Sequence, residues 1–180
     1  MNSKNKTDES NEFLQAMKGV KRLKNDRFDL KNQVKKKPAF FNRLKEAVEI
    51  PDQLSDEWEI APVGYEEIIK FAKDGISYKQ MHQLKTGNIL VEDHLDLHGL
   101  SIPESRQLIV EFLHFTKMTG ARCVRIVHGK GYKATQHYPV IKNKVNSWLR
   151  QHPDVLAFHS ATPKDGGTGA IYVLIKRLHD

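Results

Sequence analysis

The stretch from Ile89 to Lys176 constrains the fold most, because its apolar residues change period in a fixed order. In "ILVEDHLDLHG" Leu95 and Leu97 fall on one face and His94, Asp96 and His98 on the other, the two-residue period of a strand. "SIPESRQLIVEFLHFTKMTG" opens with Ser101 and Glu104 in capping-box spacing, places Leu108, Ile109, Phe112, Leu113 and Phe115 at helical spacing, and meets a stop at Gly120. "CVRIVHG" reads as a second strand, and "YPVIKNKVNSWLRQHP" as a second helix with Ile141, Val145, Trp148 and Leu149 inward. "VLAFHSA" and "AIYVLIK" are two more strands, joined by the turn-forming "TPKDGGTG". The order is strand, helix, strand, helix, strand, strand (βαβαββ). The first helical crossover makes the first two strands parallel neighbours with a right-handed connection, and the last two form an antiparallel hairpin. The expected fold class is therefore α/β: a two-layer α/β sandwich in which two helices cover a mixed sheet.

Upstream, the organisation is looser. Residues 1–60 read as a basic extension holding one amphipathic helix, "NEFLQAMKGVKRLK", with Phe13, Met17, Val20 and Leu23 on one stripe, and a linker interrupted by Pro38. Residues 61–88 read as two short helices leading into the main domain of 89–178. The first, "YEEIIKFAKDG", is expected to bury Ile68 and Ile69 and end at Gly75. The second, "SYKQMHQLKTG", runs from an N-cap at Ser77 to Gly87.

Charge narrows the function. The chain of 180 residues carries a net +7, and residues 1–50 hold a Lys/Arg surplus of six while the remaining residues hold a surplus of one. A basic arm of this kind attracts polyanions by counterion release, whatever their sequence; a merely solvated tail has the same composition. No apolar run approaches the ~20 residues that cross a bilayer. The start "MNSKNKTDESNEF" is too polar for a secretory signal. One cysteine, Cys123, excludes an internal disulfide framework and a multi-cysteine zinc cluster. These features lead to an expectation of a cytoplasmic protein with no membrane partner.

Two histidines close apolar strands and each precedes a glycine: His98 in "LDLHGL" and His128 in "RIVHGKG". In open α/β sheets, sites gather beyond the carboxyl ends of parallel strands, so both histidines are expected at one rim. Breaking a phosphodiester needs a base for the attacking oxygen, an acid for the leaving one, and a positive environment for the phosphorane. Imidazole in its unperturbed range suits the proton transfers at neutral pH. Asp96 is placed to orient one ring, and Lys130 with the amides of Gly129 and Gly131 to stabilise the equatorial charge. RNA supplies its own 2′-hydroxyl nucleophile, so no cofactor is expected; DNA would need an activated water and a divalent metal. A strand-end histidine can also be simply hydrogen-bonded, and Asp96, His98 and His128 could instead hold a metal. His94 lies deeper and reads as structural, and "GKG" alone is a weak phosphate-loop signal.

The same blocks carry a family resemblance. "LDLHG", "VRIVHGKG", "WLRQHPDVLAFHSA" and "GGTGAIYVLIK", in this order and spacing, make residues 93–176 resemble the small MutS-related (Smr) domain. The N-terminal half is similar to stand-alone bacterial Smr proteins of the SmrA/SmrB type rather than to the version fused to a MutS-like ATPase. The resemblance implies a fold similar to the C-terminal domain of translation initiation factor 3. It implies endonuclease activity on RNA or DNA: mRNA cleavage at stalled or collided ribosomes in some members, DNA nicking in others. Its D-x-H motif falls on Asp96 and His98, its H-G-K/R-G motif on His128, Gly129, Lys130 and Gly131, and its glycine-rich block on Gly166, Gly167 and Gly169, which line the substrate cleft. Members that replace the first histidine are thought to bind more than cut; here it is kept. The expectation is a metal-independent RNA endonuclease that reaches the ribosome through the basic arm. A DNA-nicking enzyme and a non-catalytic nucleic-acid- or ribosome-binding module are the alternatives.

Overall fold

The computed structural model describes residues 50, 52, 54–56, 60–131 and 138–177, together with the isolated Gln15. The chain divides into two compact units, 1–36 and 37–180. The amphipathic helix and basic linker expected before residue 50 lie outside the described residues.

The elements follow as β1 (Lys70–Ala72), α1 (Tyr78–Thr86), β2 (Asp93–Asp96), α2 (Ile102–Thr119), β3 (Cys123–Val127), α3 (Val140–Gln151), β4 (Val155–Ser160) and β5 (Ala170–Ile175). Two short 3-10 turns, Pro163–Asp165 and Gly167–Gly169, connect the last two strands. The sheet order is β1-β4-β5-β3-β2, with β2 and β3 parallel and every other pair antiparallel. The parallel pair and the closing hairpin are those the periodicity predicts.

Local signals account for the helix ends. Ser101 and Glu104 form a reciprocal capping box on α2, Ser77 and Gln80 form another on α1, and Gly87 and Gly120 end those helices in the left-handed region. α2 and α3 bury one face of the sheet: Leu95, Leu97, Ile109, Phe112, Leu113, Val124, Ile126, Val145, Trp148 and Leu149 are fully buried in one cluster. Each such side chain contributes roughly 1.5–3 kcal/mol on leaving water. α1 covers part of the opposite face, where Leu84 packs with Cys123, Ala157, Tyr172 and Leu174. No described helix is long and apolar enough to cross a membrane.

One expectation is corrected. The segment "YEEIIKFAKDG" is not a helix: Lys70–Ala72 is an edge strand, paired with β4 through Lys70↔His159, Phe71↔Phe158 and Ala72↔Ala157. Ile69 is buried as expected, but Ile68 is 59% exposed. Alternation across a strand puts these neighbours on opposite sides, where a helical stripe would have buried both.

Candidate active site at the strand-end rim

Parallel register fixes where the two motif histidines leave the sheet. Asp96 is the register partner of Val127, and the pairing extends one step further, Leu97 donating its N–H to the Val127 carbonyl at 2.8 Å. Residues 97–98 and 128–129 therefore emerge at one rim.

The two rings then meet different surroundings. His98 turns back on Asp96: one carboxylate oxygen accepts the His98 backbone N–H at 3.0 Å and the other is 2.6 Å from ring Nδ1. The His98 side chain is 77% exposed. With Nδ1 held by the carboxylate, Nε2 is the nitrogen left for a substrate.

His128 is different. Alternation past Val127 sends it to the face opposite Asp96, toward α3, and only 4% of it is exposed. Ring Nδ1 contacts the Gly129 carbonyl at 2.8 Å, which makes Nδ1 the protonated nitrogen; Nε2 is buried with no partner. Burial pushes its pKa down to about 4, with the nearby Lys142 ammonium lowering it further and the Gly129 carbonyl opposing. The expectation of two imidazoles titrating near neutrality fails for His128. Nor do Asp96, His98 and His128 gather as a ligand set: among the described residues no group of three or more His, Cys, Asp or Glu could hold a metal.

The glycine-rich blocks clasp one another. The carbonyl of Gly169 accepts the backbone N–H of both His128 and Gly129 at 3.0 Å. A Cβ on Gly169 would lie 3.2 Å from Lys130 Cγ, so any side chain there would make the facing loop give by a few tenths of an ångström. Gly129, Gly131, Gly166 and Gly167 all have positive φ; at Gly166, φ is +113° and a Cβ would lie 2.9 Å from that of Ala170. Beneath this loop Asp165 accepts from Arg125 Nη1 at 3.1 Å and from the Tyr172 hydroxyl, anchoring it to β3 and β5.

Two features, one at the rim and one within β2, are missed by sequence reasoning. Lys130 is engaged by Glu66, with Nζ 3.1 Å from Oε1 and 3.4 Å from Oε2, and Thr168 Oγ1 donates to the same carboxylate at 3.1 Å. His94 is exposed rather than deep. The Glu66 contact spans 64 residues and has no local signature; the exposure of His94 follows from β2 being the sheet edge.

Comparison with known proteins agrees with this architecture. Residues 95–176 match the family model described as Smr domain. The ribosome rescue factor SmrB of Yersinia enterocolitica (serotype O:8 / biotype 1B) is 33% identical over 172 residues, covering 94% of each chain. The ribosome rescue factor SmrB of Aliivibrio salmonicida is 31% identical over 173 residues, covering 93% of this chain and 92% of its own. Among solved structures, YdaL, a stand-alone small MutS-related protein from Escherichia coli, superimposes with a TM-score of 0.59 at 27% identity, over 69% of this chain and 94% of that one.

Proposed function

The chain belongs to the Smr-domain family, and we propose that it is an endonuclease that cleaves RNA without a metal, acting on mRNA at stalled or collided ribosomes. The observation that carries this reading is the Asp96–His98 pair: an exposed imidazole fixed through Nδ1 at 2.6 Å, at the rim where the His128–Gly131 and Gly166–Gly169 loops clasp. A base takes the 2′-hydroxyl proton as that oxygen attacks phosphorus; the P–O5′ bond breaks and the departing oxygen takes up a proton. The products are a 2′,3′-cyclic phosphate and a 5′-hydroxyl. His98 carries one of the two proton transfers through Nε2, and Asp96 orients the ring. Lys130 meets the phosphorane charge, whereas the Gly129 N–H expected to share that task is donated to the Gly169 carbonyl. His128, buried and neutral, is a positioning residue: its ring is tied to the carbonyl of the residue that precedes Lys130.

The ribosome enters this reading through the two relatives named as ribosome rescue factors, together with the N-terminal surplus of six positive charges. The test is incubation with single-stranded RNA in EDTA. The expected result is cleavage to 2′,3′-cyclic phosphate ends that is lost in His98→Ala. Complete dependence on Mg²⁺ or Mn²⁺, supercoiled plasmid nicked at a comparable rate, or full activity in His98→Ala would overturn it. If the arm holds RNA, replacing Lys35, Lys36 and Lys37 together by Gln flattens the salt dependence of RNA affinity by about 2 in log–log slope.

A further inference from the structure

The Glu66 carboxylate occupies a place that fits a different anion. Lys130 Nζ and Thr168 Oγ1 converge on it from the two glycine-rich loops of the rim, at 3.1–3.4 Å and 3.1 Å. A cation and a hydroxyl donor, on loops clasped through the Gly169 carbonyl, are the recognition set for an anionic oxygen pair. A carboxylate and a phosphodiester each present such a pair and one negative charge.

The backbone that presents Glu66 is fixed by contacts that ignore its side chain. Lys142 is wholly buried on α3, and its ammonium is caged by the carbonyls of Gly64 and Tyr65 at 3.0 Å and of Glu67 at 2.6 Å. Asn143 pairs with Val63 in both directions, donating to its carbonyl at 3.0 Å and accepting its N–H at 2.7 Å. Glu67, itself exposed, accepts the Gly64 N–H at 3.0 Å. Glu66 is thus held over the rim by the backbone of its neighbours, and its side chain is 62% exposed, open to competition from another anion.

We propose that Lys130 Nζ and Thr168 Oγ1 form a phosphodiester subsite that Glu66 fills when no substrate is bound, so that nucleic acid must displace the carboxylate. This rests on the nuclease reading for the identity of the anion, and names Thr168 as a substrate-binding residue. Glu66 then sets a threshold: a weakly held strand does not outcompete it, a well-anchored one does. An exposed ion pair of this kind resists displacement by only about three- to fivefold in affinity.

The experiment uses the full chain carrying Glu66→Gln, with Glu67→Gln as the charge-matched control that does not touch Lys130. Inorganic phosphate is titrated while the amide resonances of Lys130, Thr168 and Gly169 are followed. A single-stranded RNA oligonucleotide is titrated separately by anisotropy in a His98→Ala background. The expected result is three- to fivefold tighter binding of both probes in Glu66→Gln, no change in Glu67→Gln, and loss of the gain when Lys130→Gln is added. Phosphate binding in Glu66→Gln that is unchanged, weaker, or independent of Lys130 overturns the subsite. The phosphate gain without any RNA binding supports the subsite and rejects the nuclease reading. RNA binding without the phosphate gain, together with RNA cleavage by the chain that keeps His98, does the reverse.

Discussion

Asp96 grips His98 twice, one carboxylate oxygen on its backbone N–H at 3.0 Å and the other on ring Nδ1 at 2.6 Å. The first bond shapes the turn that ends β2, and the second orients the ring within it. Asp96→Asn keeps the size but has one acceptor oxygen, so it cannot hold the backbone N–H and ring Nδ1 with separate oxygens. His98→Ala is expected to lower the RNA cleavage rate by about 10²–10⁴-fold, and Asp96→Asn by at least about tenfold. RNA affinity should hold within about twofold in both. Single-turnover cleavage with anisotropy on the same RNA checks this; an affinity loss that matched the rate loss would show binding residues instead.

Burial of His128 has a consequence for acid stability. Its pKa lies at about 4 in the folded chain, against 6.5 for the unperturbed ring. Between those values the unfolded chain takes up a proton that the folded chain refuses, so stability is full above about pH 6.5 and falls as pH drops toward 4. The loss attributable to this ring is on the order of 3 kcal/mol. Burial lowers His152 and His159 as well, in the same direction. Urea unfolding from pH 7 to 4.5 should therefore show a shallower decline in His128→Gln than in the parent chain, by about 1.4 kcal/mol per pH unit. An identical decline would mean that the ring is already solvated.

The local features of this fold were legible in the sequence and the long-range ones were not. Leu95 and Leu97 declared their face through strict alternation, and Ser101, Glu104 and Gly120 marked the ends of α2, because caps are satisfied within one turn. β1 carried no such mark. Ile68, Ile69 and Ala72 sit at a spacing a helix would also use, and the segment is a strand because β4 offers Ala157–His159 as partners. The rim followed the same division. "LDLHG" and "RIVHGKG" located it, since parallel strands with a helical crossover end on one side. That His128 would be enclosed beneath α3, or that Glu66 would reach Lys130, depended on packing between segments far apart in the chain.

The clasp between the loops makes Gly169 a test of how the rim is built. Its carbonyl takes two N–H groups at 3.0 Å, and a Cβ there would also lie 3.4 Å from the Gly129 carbonyl carbon. Gly169→Ala is expected to push Lys130 outward by a few tenths of an ångström and lower cleavage by about three- to tenfold, since misplacement is costly in a reacting site. Gly120 supplies the contrast. Its φ is +75° with open space around the Cβ position, so Gly120→Ala should cost about 1–2 kcal/mol of stability and leave cleavage by the folded chain intact. Thermal unfolding and cleavage rates measured on both variants separate the two effects, and equal cleavage losses would remove the special role of the clasp.

Lys142 supports the rim from beneath, and its removal should be felt there. On an otherwise inward-facing stripe with Val145 and Trp148 it would be a costly buried charge, but three carbonyls in the Gly64–Glu67 turn accept its protons. Burial lowers its pKa, with the like charge of Lys130 adding to the shift and the carboxylates of Glu66 and Glu67 opposing it. Lys142→Met fills similar space yet leaves those carbonyls facing apolar side chains without a donor. Hydrogen bonds to a charged group contribute about 1.5–3 kcal/mol each, and here they act as a unit, so a total loss of about 3 kcal/mol is expected. Because the cage also fixes the turn before β1, amide hydrogen exchange over residues 63–69 should accelerate more than exchange in β5. Urea unfolding combined with exchange by mass spectrometry checks both, and a Lys142→Met chain of parental stability with a protected turn would show that the ammonium holds nothing in place.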